Sequence, residues 1–362
     1  MNYAVSEVLS SPVLFTFLLF AILAFMPFLP GIIELKRPKD ALPLFIKMDY
    51  MKDPRYFERS FKSLLNKAME NEGPEPGIKN VRLSKNEEVE VADSKTIADG
   101  ESVDHILYVR GNFKSGNEAY LRKEIYAGGV AELGVKNIVR AVACDGNVTV
   151  SEGSKIVRWI GAEGDMKVAE NCSLGVLCAS SGKLEINRKC TFKALYGRPV
   201  VTYDVQNGFI SKEIPPGETE KKNSRTVPDG LKTIGDIALY SSEEELIISP
   251  RSLIERDIIA KKNLVLKNGC TVSASIKAYG NIFIGEGTTV DGNIFAEGEI
   301  IVGRNCTVTG NIFSQSVIRF AENVRAGKKG AVKSVIGKKG IELTSNNVIF
   351  GYVLTEGTGR II

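Results

Sequence analysis

Hydrophobic and polar positions repeat with a period of eighteen between Ser252 and Ile341. Within each period, apolar residues recur at the third, seventh, ninth, thirteenth and fifteenth positions, and successive periods align without gaps. The residues at the seventh position are Ile258, Ile276, Ile294 and Ile312. A repeat with a fixed period defines the architecture of the whole segment, so it is interpreted before any local secondary structure.

The spacing inside each period predicts three short strands. Apolar residues come in pairs two apart, such as Ile276 with Ala278 and Ile282 with Ile284, which places each pair on one face of a strand. Gly and Asn, which tolerate the backbone of a sharp corner, lie between the pairs. Three strands and three corners make one triangular coil, and stacked coils would rise about 4.8 Å each. The prediction is an all-β fold, a β-solenoid in which each period forms one coil around a side-chain-filled interior.

A second block with the same period lies upstream and begins near Lys136. Three positions of the period are apolar in successive coils of this block. The first position holds Val148, Met166 and Leu184, and the second holds Ile138, Ile156, Leu174 and Phe192. The third holds Val142, Ile160, Cys178 and Tyr196. From 81 to 135 the pattern weakens and its register is not assigned. Residues 204–233 break the repeat and are interpreted as a loop or linker. The pattern leaves open whether the two blocks form one rod or two.

The N-terminal region contains an apolar segment from Val13 to Ile33 in which no residue is charged. The segment is long enough to cross a hydrocarbon core of about 30 Å, so we predict one transmembrane helix before the solenoid. A cleaved signal peptide is the alternative, but the segment lacks a basic region before it and an A-x-A site after it. Lys36, Arg37 and Lys39 follow the segment, which favours a cytoplasmic location for the C-terminal bulk.

A helix is predicted to begin at Asp53-Pro54, with Asp as the N-cap and Pro in the first turn. Apolar residues follow at helical spacing, and basic residues occupy the other positions. The helix could lie on an anionic membrane surface, or pack on the first coil or on its twin in another subunit. The residues predicted to face the membrane surface are Lys36, Arg37, Lys39, Arg55, Arg59 and Lys62.

These patterns predict five segments. They are a transmembrane anchor at 1–35, a juxtamembrane segment with an amphipathic helix at 36–77, a first solenoid block at 78–203, a linker at 204–233 and a second solenoid block at 234–362.

Composition and motifs point to no catalytic centre. The net charge of +4 is too small to favour nucleic acid, and six cysteines occur without a CxxC pair. The single histidine, His105, lies outside the regular coils. Asp145, Asp165 and Asp291 occur singly at corners, where turn formation is their expected role. We therefore predict no catalytic, cofactor-binding or metal-binding residues and no cofactor.

Two further features follow from the repeat. Cys172 and Cys190 are separated by one period, so they are expected to stack on adjacent coils, either as small core residues or as a disulfide. The sequence GKKG occurs at 327–330 and at 337–340, and both copies are interpreted as exposed corners basic enough to touch a negatively charged partner.

The segment DGNIFAEGEIIVGRNCTVTGNIFS, with short coils and Gly-Asn corners, resembles the bactofilins, a family of bacterial cytoskeletal proteins. The resemblance is best over 234–335 and weaker over 136–201. It implies a right-handed β-helix, end-to-end polymerisation without nucleotide, and in some members membrane binding through an N-terminal segment. Two solenoid blocks in one chain, and the large region before residue 136, depart from the family pattern.

Three functional hypotheses follow. The first is a single-pass protein of the bacterial inner membrane that self-associates through coil ends and recruits envelope-synthesis proteins; its partners are itself and the lipid bilayer. The second is a β-helix enzyme or sugar-binding module, such as a hexapeptide-type acyltransferase. The third is a rod on the outer side of the membrane. The residues predicted for self-association are Val348, Ile349, Phe350, Tyr352 and Leu354.

Overall fold

The computed structural model describes residues 12–28, 53–70, 79–84, 87–203, 232–234, 238–241 and 244–362. The chain divides into two compact units, Met1–Lys52 and Asp53–Ile362. In the first unit, helix α1 (Pro12–Phe25) continues into a 3-10 turn (Met26–Phe28). Among the described residues, no helix has both the length and the apolar character needed to span a membrane. Residues 29–33 of the predicted span lie outside the described residues.

The second unit contains helix α2 (Tyr56–Glu70) and the strands of two solenoids. The strands up to residue 203 are β1 (Lys79–Ser84), β2 (Glu87–Ala92), β3 (Lys95–Ile97), β4 (Ser102–Val103), β5 (Ile106–Val109), β6 (Phe113–Ser115), β7 (Tyr120–Ala127), β8 (Ala131–Leu133), β9 (Ile138–Cys144), β10 (Val148–Val150), β11 (Lys155–Ala162), β12 (Met166–Val168), β13 (Leu177–Ser180), β14 (Leu184–Asn187) and β15 (Thr191–Tyr203). The strands after it are β16 (Lys232–Ile234), β17 (Ala238–Ser241), β18 (Glu245–Ile248), β19 (Leu253–Ile254), β20 (Asp257–Ala260), β21 (Asn263–Leu266), β22 (Thr271–Val272), β23 (Ile276–Ala278), β24 (Ile282–Ile284), β25 (Thr289–Val290), β26 (Ile294–Ala296), β27 (Ile300–Val302), β28 (Thr307–Val308), β29 (Ile312–Ser314), β30 (Val317–Phe320), β31 (Arg325–Ala326), β32 (Lys333–Gly337), β33 (Gly340–Leu343) and β34 (Val348–Ile361).

The predicted β-solenoid is confirmed, with about 13 turns and a spacing of about 18 residues. Within each solenoid, the strands of successive coils pair in parallel, as β23, β26 and β29 do through Ile276, Ile294 and Ile312. These three isoleucines are almost completely buried. The residues that the repeat assigns to one slot therefore stack as a column in the core, where burial of each side chain contributes about 1.5–3 kcal/mol.

The repeat is interrupted once within the second solenoid. Val308 pairs with Ala326, one period later, but Ile312 pairs with Val335, which lies five positions beyond one period. The prediction of a gap-free repeat to Ile341 is therefore wrong beyond Ala326. The extra residues form a small hairpin at this corner, closed by a bridge from Lys328 to Ala331. Positive φ angles at both glycines of the first GKKG, 78° and 85°, permit this tight excursion.

The first solenoid begins earlier than the assigned repeat and has less regular coils. Lys95 pairs with Phe113, which pairs with Ala131, so the stretch with unassigned register belongs to the same stack. Some coils are one residue shorter than the period, and Ile156 consequently pairs with Val139 instead of Ile138. For the same reason Cys178 pairs with Leu195 instead of Tyr196. The predicted alignments of Ile156 with Ile138 and of Cys178 with Tyr196 are therefore each wrong by one residue.

The two solenoids meet at their C-terminal ends. Strand β15, the last of the first solenoid, pairs antiparallel with β34, the last of the second. Paired residues include Leu195 with Val353 and Val200 with Ile349. All the strands consequently belong to one sheet system, so the two blocks form one rod. Both outer ends of this rod are N-terminal ends, where β1 pairs antiparallel with β2 and β16 with β17.

Four of the six cysteines, Cys172, Cys190, Cys270 and Cys306, occupy a corner column of buried hydrogen-bond donors in their solenoid. Cys172 and Cys190 donate their thiol hydrogens to the carbonyls of Ser151 and Ala169, at 3.3 and 3.1 Å. In the second solenoid, Cys270, Thr288 and Cys306 donate to main-chain carbonyls of the preceding coil. All six cysteines of the chain are free thiols. The column thus fills a corner of the core with small side chains that satisfy a carbonyl at each coil.

Candidate functional site

Helix α2 lies on the flank of the first solenoid and covers the only tryptophan of the chain. Phe61 and Leu65 are buried on its inner side. The rings of Phe57 and Phe61 lie 6.5 and 6.0 Å from the ring of Trp159, one stacked and the other edge-on. Trp159 is only 6% exposed. Of the alternatives for this helix, packing on the solenoid is the arrangement found.

Asp53 caps the helix as the sequence predicts. One of its carboxylate oxygens accepts a hydrogen bond from the backbone N–H of Arg55 at 2.9 Å. The other accepts one from the side chain of Arg59 at 2.8 Å. The cap satisfies a backbone donor of the first turn, a contribution of about 1 kcal/mol to helix stability.

Two carboxylates hold a buried arginine under the first turn of α2. Arg55 Nε donates to Glu58 Oε2 at 2.8 Å, and Arg55 Nη1 donates to Ser181 Oγ at 2.9 Å. The same guanidinium pairs with Glu163 of the solenoid. Gly161 provides the space for this arrangement, because a methyl group there would overlap the Glu58 carboxyl group. The sequence therefore needs glycine at this outward position of β11.

A second ion pair joins the middle of α2 to a solenoid corner. Lys62 Nζ lies 2.5 Å from Asp145 Oδ2, and the Tyr126 hydroxyl donates to the same carboxylate oxygen at 2.5 Å. The ammonium also lies 5.4 Å from the centre of the Tyr126 ring. Asp145 does stand at a corner, as predicted, but its side chain also anchors the helix.

Burial raises the pKa of Glu58 to about 7. Arg55 opposes this shift by favouring the carboxylate, whereas the neighbouring negative charge of Glu163 adds to it. A single guanidinium is shared between two carboxylates, so it does not offset the loss of hydration of the buried one. Packing of α2 on the solenoid therefore favours the protonated form of Glu58.

Docking of α2 is expected to weaken as the pH rises. The pKa of Glu58 in the docked state lies above the ordinary value of 4.5, so its favourable contribution is complete below pH 4.5 and is lost as the pH rises through about 7. The shift corresponds to at most about 3 kcal/mol. Urea titrations followed by Trp159 fluorescence should give a higher midpoint at pH 5 than at pH 8.

Glu58→Gln should flatten this pH dependence, because an amide cannot ionise. Glu70→Gln, at the exposed end of the same helix, is the matched control and should leave the wild-type profile intact. A wild-type midpoint that rises with pH would contradict the assignment.

The structure separates the residues predicted to face a membrane surface. Lys36, Arg37 and Lys39 lie outside the described residues. Arg55 and Lys62 instead contact carboxylates of the solenoid, as described above. The side chain of Arg59 is exposed and pairs with Asp53 at 2.8 Å.

The residues predicted for self-association all lie in β34, at the junction with β15. Val348 and Ile349 pair with Val201 and Val200 of the same chain. The rings of Tyr352 and Tyr196 pack 4.7 Å apart across the junction. The contact that the sequence assigned to another copy is thus made within the chain.

His105 takes part in a separate charged group near the start of the first solenoid. Its Nε2 lies 2.8 Å from Glu90 Oε2, and Lys95 Nζ lies 2.6 Å from Glu90 Oε1. Burial acts to raise the pKa of Glu90, but the hydrogen bonds from Lys95 and His105 outweigh it and lower the pKa. Within the described ranges, no group of three or more His, Cys, Asp or Glu side chains is arranged to hold a metal ion.

In the comparisons with known proteins, no family model, no curated protein and no solved structure matched this chain.

Proposed function

We propose that this protein is a structural scaffold of the bactofilin type, anchored in the bacterial inner membrane, whose rods associate end to end. The observation that supports the proposal best is the junction between β15 and β34. There, two solenoid ends of the same chain already join by antiparallel strand pairing. Solenoid ends present unpaired backbone groups, and strand addition is a general way to satisfy them.

The two outer ends of the rod have the features that such association requires. Among the described strands, β1 pairs with β2 and β16 pairs with β17, and neither outer strand has a second neighbour. Helix α2 packs against β1, where Val81 is buried with Phe61 and Leu65. Each outer strand therefore has one edge without a strand partner among the described residues, and another copy could pair with that edge.

The apolar segment from Val13 to Ile33 supplies the anchor in this proposal. In the part of it that the structure describes, Phe15, Phe17 and Phe20 are 70–78% exposed, which is typical of side chains that meet lipid. Basic residues follow the segment, so the rod would lie in the cytoplasm. A row of anchored rods would offer envelope-synthesis proteins a continuous surface.

End-to-end association predicts chains of rods for the fragment 53–362, which forms one compact unit. About 13 turns at roughly 4.8 Å give a rod of roughly 60 Å. Electron microscopy over a concentration series without nucleotide should show unbranched chains with that repeat. Single rods at every concentration would refute end-to-end association.

Anchoring predicts that the full chain floats with lipid vesicles and resists carbonate extraction. Deletion of residues 13–33 should release the protein, while the solenoids keep their melting temperature. Flotation of the deletion variant at the wild-type level would contradict the proposal that the apolar segment anchors the protein.

A further inference from the structure

Positive charge is concentrated at the junction of the two solenoids. Residues 188–203 and 325–362 contain eleven Lys or Arg and only two Glu. The whole chain has a net charge of only +4, so the remainder of the protein is net negative. The composition of the chain as a whole hides this asymmetry, which appears only when β15 and β34 are brought together.

The junction arranges these charges around a small flat sheet. Residues 194–197 of β15, 351–354 of β34 and 333–337 of β32 lie side by side as three neighbouring strand segments. We call these segments the junction platform. Arg198, Lys328 and Lys329 adjoin one end of the platform, and Lys193, Lys338 and Lys339 adjoin the other. These six residues form the basic rim.

The cations of the basic rim are exposed and lack acidic partners. Elsewhere on the second solenoid, basic side chains pair with carboxylates, as Lys262 does with Glu244 at 2.6 Å and Arg319 with Glu299 at 2.6 Å. In the portion of the chain that the structure describes, no rim residue forms an ion pair with a carboxylate. Lys193 donates to main-chain carbonyl oxygens, and Arg198 donates to a tyrosine hydroxyl. The rim therefore projects an uncompensated positive field.

The centre of the platform is apolar and aromatic. Tyr352, Leu354 and Ile336 are half-buried on its outer side. Burial, the Tyr196 ring and the Asp53 carboxylate raise the pKa of Tyr352 to about 12.

We propose that the basic rim binds the anionic headgroups of the membrane in which the chain is anchored. Six exposed cations around a tyrosine-containing apolar face suit a surface of lipid phosphates, since basic side chains near such a surface each add to its attraction. The proposed anchor favours lipid over nucleic acid as the partner, because it holds the whole chain at high effective concentration beside the bilayer. This proposal rests on the anchoring proposed above.

Amine labelling of the full chain in vesicles tests the proposal. The chain is reconstituted in neutral phosphatidylcholine vesicles and in vesicles containing phosphatidylglycerol, and the reactivity of each lysine is measured by mass spectrometry. Lys328, Lys329, Lys338 and Lys339 should react about fivefold more slowly in the anionic vesicles. Lys261 occupies the same corner of the rod as Lys338, four coils away, and should react equally in both.

A variant in which four lysines of the basic rim are replaced by glutamine provides a second test. K328Q/K329Q/K338Q/K339Q changes only exposed side chains and should melt like the wild type. It should still float with both kinds of vesicle, but Lys193 should lose its protection in the anionic ones. High salt should remove the protection in the wild type as well.

The outcomes separate this proposal from the anchoring on which it rests. Flotation in both vesicles with equal lysine reactivity would overturn headgroup binding and leave the anchor intact. Failure to float in either would overturn both. Protection by added RNA or heparin, without protection by anionic vesicles, would overturn the lipid assignment and identify a soluble polyanion as the partner.

Discussion

Ile294→Asp is expected to destabilise the second solenoid by about 4 kcal/mol, because it places an unpaired carboxylate in the core. Ile294 is 1% exposed and stacks between Ile276 and Ile312 in the column of the seventh position. No solvent reaches this site, and a carboxylate there has no hydrogen-bond donor. The melting temperature of the fragment 53–362 should fall by roughly 6 °C, as followed by circular dichroism.

Asn305→Asp is the matched control at a corner of the same coil stack. Asn305 is exposed and has a φ angle of 56°, which aspartate also tolerates. The change loses a hydrogen bond to Glu286 and should cost less than about 1 kcal/mol. Equal losses of stability in the two variants would contradict the assignment of inward and outward positions.

Val353→Asp is expected to break the junction between the two solenoids. Val353 is fully buried and pairs with Leu195 on one side and Val335 on the other. A carboxylate at this position is unpaired within the last coils of both solenoids. The free energy of unfolding should therefore again fall by about 4 kcal/mol. Unlike Ile294→Asp, this change should also make β15 and β34 sensitive to protease at temperatures where the other coils remain folded.

Thr358→Asp controls for a charge introduced into the same strand, because Thr358 is exposed. It should leave both the melting temperature and the protease pattern close to those of the wild type. If the Val353→Asp variant were as resistant to protease as the Thr358→Asp variant, Val353 would not lie at a buried junction.

The period and the core columns could be predicted because they are properties of spacing. An apolar pair two positions apart identifies an inward face, and a recurrence once per period identifies the column. Single-residue changes of coil length are harder to detect, because Ile138 and Val139 are both apolar and either fits the pattern. A slip of one residue turns a strand over, so only the pairing shows that Val139 points inward and Ile138 outward.

The junction could not be predicted from the repeat, because spacing describes one solenoid and contains no information about which end meets which. In the structure, both blocks end in strands much longer than the repeat requires, 13 residues in β15 and 14 in β34. The apolar run at Val348–Leu354 was identified as an end contact, but its partner lies in the same chain.

The charge cluster under α2 was missed for a different reason. Glu58 looks like an ordinary surface residue in the sequence, because its burial depends on where the helix packs. Trp159 gave a usable signal, since an aromatic residue at an outward position next to Gly161 favours a covered flank. The geometry of the ion pairs itself depends on tertiary packing.

The most direct test of the single rod is a cross-link across its junction. Ala194 and Leu354 are opposite each other in the antiparallel pair, both on the outer side, and Ile336 lies next to Leu354 on the following strand. Cysteines at 194 and 354 would have Cα atoms about 4.5–5.5 Å apart, which suits a disulfide. Cysteines at 194 and 336 would lie about 9.6 Å apart, which is too far.

Ala194→Cys/Leu354→Cys should form an intramolecular disulfide rapidly under mild oxidation at low protein concentration, whereas Ala194→Cys/Ile336→Cys should not. The product should run as a monomer with altered mobility on a non-reducing gel. Failure of the first pair to cross-link, or a cross-link that forms only between molecules, would contradict the joining of the two solenoids end to end within one chain.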